Sequence, residues 1–122
     1  MPNILVVDDE PGIRRALRRL IEKRGWQVTE AGTADEGLEI AGKGGIDGAI
    51  CDFRMPGGSG ITFYDRVIQV LPEIKGKVVF LTAAAQDADV ERQVEERGAP
   101  LLSKLYELDL AVDAVAVAVL TQ

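Results

Sequence analysis

The sequence predicts a doubly wound α/β fold, a five-stranded parallel sheet with five helices packed on its two faces. Three observations carry this. Five strand-like runs alternate with helical stretches along 122 residues, the order that parallel strands joined by crossover helices require. Runs such as Ile4-Leu5-Val6-Val7 and Val78-Val79-Phe80-Leu81 are apolar throughout, as strands buried on both faces are. Four runs end in Asp, Thr or Ser-Lys, which gathers polar groups at the sheet edge where ligands of such folds bind.

Each element follows in order. Ile4 to Val7 is a strand that stops at Asp8-Asp9, and Pro11 opens a helix. Ile13, Ala16, Leu17, Leu20 and Ile21 recur on one face of that helix, cations fill the remainder, and Gly25 ends it. Trp26 to Ala31 alternates like a half-buried strand, and Thr33 with Glu36 forms a capping box for a second helix. Ala49-Ile50-Cys51 is a third strand ending at Asp52, and the turn-rich stretch Met55 to Gly60 leads into a helix that Pro72 closes. Lys77 to Leu81 is a fourth strand, followed by Thr82 and an alanine run into a helix ending near Gly98. Pro100 to Ser103 is a short fifth strand. The last segment, with Val112, Val115, Val117 and Val119, partly alternates like a strand, but its length and place in the alternation require a helix.

Composition excludes several chemistries. With 47% hydrophobic and 28% charged residues the chain supports a packed core of one domain, residues 1–122. There is no histidine and one cysteine, Cys51, so no Cys/His zinc site, no Ser-His-Asp triad and no internal disulfide is available. Cys51 and Trp26 read as packing residues. The apolar run Ala114 to Leu120 is too short to span a bilayer, and the N-terminal residues do not resemble a secretory signal. The expected location is the cytoplasm, with no membrane association. A net charge of −6 argues against direct binding to nucleic acid.

The strand ends carry the chemistry. Asp8, Asp9 and Asp52 at one edge repel one another by up to about 4 kcal/mol per pair at about 4 Å with an effective dielectric near 20, so they need a cation. Carboxylates with turn carbonyls and water suit Mg²⁺. Lys104 offers a positive charge and Thr82 a hydroxyl, both suited to phosphoryl oxygens. The set reads as phosphorylation of a carboxylate, which needs no histidine base because the nucleophile is already ionised.

Four motifs in order then resemble the receiver domain of two-component response regulators. They are ILVVDDE at Ile4 to Glu10, D-x-x-M-P-G-x-S-G from Asp52 to Gly60, Leu81-Thr82-Ala83, and Gly98-Ala99-Pro100 leading to Ser103-Lys104. The resemblance implies a flavodoxin-like sheet in the order 2-1-3-4-5 and a signalling domain rather than an enzyme. It implies a phosphoryl group taken onto Asp52 from a histidine kinase or a histidine phosphotransfer protein. It further implies Mg²⁺ held by Asp8, Asp9, Asp52 and the backbone carbonyl of Arg54, with Thr82 and Lys104 on the phosphoryl oxygens. Arg54 and Ala84 fall where the family tunes the lifetime of the phosphorylated state.

Two positions depart from the family pattern. Leu105 follows the lysine where proline is usual, and Leu101 stands where an aromatic is often found. They favour an alternative, a receiver-like module that binds partners without phosphorylation. The first helix carries a local charge of +5 against about −11 for the rest of the chain, and Arg14, Arg15, Arg18 and Arg19 form a candidate docking stripe for the kinase or phosphotransfer partner. The nearly uncharged last helix is the candidate face for a homodimer.

Overall fold

The chain is seen in a computed structural model that describes residues 1–55, 58–83 and 87–121. Five parallel strands form the sheet: β1 (Asn3–Val7), β2 (Gln27–Ala31), β3 (Gly48–Asp52), β4 (Val78–Thr82) and β5 (Leu101–Ser103). They lie in the order β2-β1-β3-β4-β5, as the resemblance implies. The helices are α1 (Pro11–Lys23), α2 (Ala34–Gly42), α3 (Gly60–Val70), α4 (Ala88–Glu96) and α5 (Leu108–Leu120). A short 3₁₀ turn, Pro72–Ile74, follows α3.

The period of two along each strand divides the core. Leu5, Val7, Ala49, Cys51, Val78 and Phe80 face one layer, packed with Ala41 of α2, Phe63 and Val67 of α3, and Val90 and Val94 of α4. Ile4, Val6, Ile50, Val79 and Leu81 face the other, against Leu17 and Ile21 of α1 and Ala111, Val112 and Val115 of α5. Both faces of the central strands are therefore dry, which explains their unbroken apolar runs, and each large side chain buried there stabilises by roughly 1.5–3 kcal/mol. Gly48 lets α5 lie close to β3, because a Cβ there would stand 2.9 Å from Val119 and 3.0 Å from Val115.

The Thr33 half of the predicted capping box is made, and the Glu36 half reaches one residue further back, to Gly32. Thr33 accepts a hydrogen bond from Glu36 N at 3.1 Å, while Glu36 Oε1 accepts one from Gly32 N at 3.0 Å. Gly25 closes α1 and Gly98 follows α4, both with positive φ.

Several boundaries differ from the sequence reading. β2 begins at Gln27, because Trp26 N still bonds back to Ile21 O in the turn that closes α1. α4 starts at Ala88, where Asp87 accepts from Asp89 N and Val90 N and so fixes the first turn. A two-residue antiparallel pair, Arg54–Met55 with Gly58–Ser59, separates β3 from α3. The last segment is a helix, but it is not covered all round: Ala111, Val112, Val115 and Ala116 are buried, whereas Leu110, Val117 and Leu120 are exposed.

Candidate functional site

Register brings the predicted residues to one edge. Val7 pairs with Cys51, Asp52 with Leu81 and Thr82 with Ser103. Asp8, Asp52, Thr82 and Lys104 therefore end adjacent strands or directly follow them. Asp9, Glu10, Asp52, Arg54, Thr82, Ala83 and Lys104 line one cleft there.

Lys104 organises this cleft. Its ammonium lies 2.8 Å from Asp52 Oδ2 and 3.1 Å from Asp8 Oδ1, and it also contacts Glu10 Oε1. All three residues carrying the central charges are buried: Asp8 is 1% exposed, Asp52 4% and Lys104 4%. The peptide bond to Leu105 is trans, and the lysine reaches Asp52 nonetheless. The loop that presents it is held by Lys104 N donating to Thr82 O at 2.9 Å and by Ser103 Oγ accepting from Leu105 N and Tyr106 N.

The acids are positioned by local backbone. Asp8 Oδ1 accepts from Glu10 N at 2.8 Å, and the Asp8 carbonyl accepts from Arg14 Nη1 at 2.6 Å, which fixes the corner between β1 and α1. Asp52 Oδ1 receives a long 3.4 Å contact from Arg54 N. Gly60, at the start of α3, donates to Phe53 O at 2.6 Å, and a Cβ on it would stand 2.7 Å from Asp52 O. No side chain fits at that approach.

One carboxylate oxygen each from Asp8, Asp9, Glu10 and Asp52 lie within 4.8 Å of one another. Four carboxylates face one ammonium, an excess of three negative charges. Burial pushes the Asp8 carboxyl up to about 6; the charge of Asp52 pushes the same way, and the Glu10 N–H and Lys104 oppose it. Burial likewise raises Asp52, against the pull of the Lys104 hydrogen bond. Asp8 Oδ2 is buried without a hydrogen-bond partner, a costly condition for an anionic oxygen. A hard cation bound to oxygen would complete this set, so the donors fit a divalent ion of the Mg²⁺ or Ca²⁺ type.

The other predicted residues are placed as follows. Thr82 is half-buried at the cleft. The Arg54 side chain is exposed, 3.5 Å from Asp87 Oδ2 and over the Phe53 ring. Ala84 lies outside the described residues. Arg14 and Arg18 are engaged within the chain, at 3.0 and 2.6 Å from Glu30, while Arg15 and Arg19 are exposed. Cys51 is a buried core residue whose thiol pKa is raised by burial. Sequence reasoning assigned no role to Glu10, although the acidic run Asp8-Asp9-Glu10 marks it, and missed Asp87, which both caps α4 and meets Arg54.

Comparison with known proteins agrees with this geometry. The family model described as the response regulator receiver domain matches residues 4–116. Sporulation initiation phosphotransferase F of Bacillus subtilis is 32% identical over 113 residues, covering 92% of this chain and 89% of that protein. Transcriptional regulatory protein DltR of Streptococcus agalactiae is 30% identical over 106 residues, and there the match covers 87% of this chain but only 46% of the relative's length. A response regulator from Burkholderia pseudomallei, solved with a phosphorylated aspartic acid, a calcium ion and citrate, superposes with a TM-score of 0.81 at 27% identity. The match covers 100% of this chain and 71% of that one. With the match running from the first strand into the last helix, the chain belongs to the receiver domains of two-component response regulators, which are signalling domains.

Proposed function

We propose that Asp52 accepts a phosphoryl group from the phosphohistidine of a histidine kinase or histidine phosphotransfer protein, in a Mg²⁺-dependent reaction that switches a partner-binding or dimerisation face. The observation that carries this reading is the buried Lys104 ammonium between Asp52 and Asp8, beside an Asp8 oxygen with no partner. The phosphorylated aspartic acid and calcium ion of the Burkholderia relative support it.

In this reading a carboxylate oxygen of Asp52 attacks phosphorus. The new P–O bond forms as the P–N bond to the donor imidazole breaks, and the departing imidazole keeps the electron pair and takes a proton from water. Lys104 keeps Asp52 ionised against the effect of burial, then follows the charge onto the phosphoryl oxygens together with the Thr82 hydroxyl. Asp8, Asp9, Asp52 and the Arg54 carbonyl would hold Mg²⁺, which supplies neutralisation of the charge spread over the phosphoryl group. Arg54 and Ala84 stand at the positions that tune the lifetime of the acyl phosphate in the family.

Residues 1–122 act in this reading as a single receiver domain in the cytoplasm; among the described residues no helix is long and apolar enough to cross a membrane. Arg15 and Arg19 present the exposed charge of the docking stripe, with Arg14 and Arg18 at its inner margin. Leu110, Val117 and Leu120 form the homodimer face.

Intact mass after incubation with acetyl phosphate and Mg²⁺, for wild type and Asp52→Asn, tests the central claim. One hydroxylamine-labile phosphoryl group on the wild type alone is expected. Failure with acetyl phosphate and with phosphohistidine donors would leave the phosphorylation-independent binding module as the function.

A further inference from the structure

We infer that Glu10 is a positioning residue that holds Lys104 in the unphosphorylated protein and competes with the phosphoryl group for it. The inference rests on the phosphoacceptor reading of Asp52. An ammonium has three N–H donors, and those of Lys104 have three carboxylate partners: Asp8, Asp52 and Glu10. The donor that Asp52 holds passes to one phosphoryl oxygen when Asp52 is modified, and a second contact between Lys104 and the phosphoryl group requires Asp8 or Glu10 to yield.

Burial decides which one. Asp8 has 1% of its side chain exposed and its second oxygen is already without a partner, so releasing it would leave a buried carboxylate with only the Glu10 N–H to compensate it. Asp52 is the modified residue itself. Glu10 has 59% of its side chain exposed, so its carboxylate can return to water at little cost. Its side chain makes no capping bond to α1, and its contact with the lysine comes from outside the buried pair. Glu10 thus occupies, with its own anionic oxygen, the lysine donor that the phosphoryl oxygen takes later. It holds the ammonium aimed at Asp52 before the reaction and weakens binding of the incoming anion by the free energy of its own ion pair.

Beryllofluoride, a phosphoryl mimic, titrated into the protein at saturating Mg²⁺ and followed by amide chemical shifts, tests this. Glu10→Ala should bind about two- to fivefold more tightly than wild type, the size of a half-exposed ion pair. The gain should narrow as salt is raised, because the displaced ion pair is half exposed and is screened. Mg²⁺ affinity, measured separately by calorimetry, sets the concentration that saturates each protein, since Glu10 stands in the acidic cluster itself. Equal or weaker beryllofluoride binding by Glu10→Ala at saturating Mg²⁺ would overturn the inference while the wild type still binds the mimic. A wild type that binds no beryllofluoride would overturn the phosphoacceptor reading, and this inference with it.

Discussion

Lys104 Nζ stands 2.8 Å from Asp52 Oδ2 across a sequence separation of 52 residues, and both groups are buried. The lysine arrives from β5 and the aspartate from β3, with β4 between them in the sheet. Strands β3, β4 and β5 therefore have to be in register before the pair can form.

Removing the lysine should expose what it compensates. Lys104→Ala leaves Asp8 and Asp52 as buried carboxylates without their shared cation, and the expected loss at neutral pH is about 3–5 kcal/mol. Urea unfolding measures it. Adding Asp8→Asn to the same protein should recover part of the loss, and a double variant no more stable than the single one would contradict this account.

The raised Asp8 carboxyl sets a pH dependence of definite sign. Its folded pKa of about 6 lies above the ordinary value of 3.8, so the folded state binds the proton more tightly than the unfolded chain. Stability from this group is fully present below the unfolded value and is lost as pH rises through the folded one. Metal-free Asp8→Asn should therefore be more stable than wild type above about pH 7, by at most about 3 kcal/mol. The advantage should shrink towards about pH 5 in thermal unfolding scans across that range.

Mg²⁺ should reverse that penalty. If the cluster binds the ion only when folded, a tenfold excess over Kd adds about 1.4 kcal/mol and raises Tm by several degrees. Asp9→Ala should lose most of the shift. An equal shift in that variant would place the ion elsewhere.

Gly60 is expected to tolerate no larger residue. Gly60→Ala drives a methyl group into the Asp52 carbonyl and the Phe80 ring, at a cost of roughly 1–3 kcal/mol. The strain falls on the backbone of Asp52 itself, so phosphoryl transfer should slow beyond what the stability loss explains. Rates of acetyl phosphate labelling at a temperature where both proteins are folded make the comparison.

The exposed apolar residues of α5 predict concentration-dependent dimerisation. Val117, 61% exposed, faces away from the sheet, so Val117→Glu should shift sedimentation towards monomer with unfolding stability changed by less than about 0.5 kcal/mol. A wild type that stays monomeric before and after phosphorylation would remove the dimer from the proposal.

Much of this architecture was legible in the residues, for physical reasons that can be named. Strands β1 and β4 announce themselves because burial on both faces leaves no room for polar side chains, and the Thr33–Glu36 box fixes the start of α2 locally. Asp8, Asp9, Asp52, Thr82 and Lys104 were found because strand ends in a parallel sheet must share an edge. What stayed hidden depends on contacts between distant segments. Arg14 and Arg18 look like a free basic stripe until Glu30 of β2 is seen beside them. Glu10 looks like one more surface acid until Lys104 arrives from the far end of the chain. The pair Arg54–Met55 with Gly58–Ser59 is too short to show any periodicity.

The outer strand β5 is only three residues long, and the N–H of Ser103 donates to Glu107 Oε1 at 2.7 Å. A strand at the margin of a sheet ordinarily offers a row of unpaired backbone groups on which another chain can extend the ladder. Here the row is brief, and one of its donors is blocked from within by a side chain at the start of the following helix. Edge-to-edge growth of the sheet between molecules is thereby disfavoured at this margin.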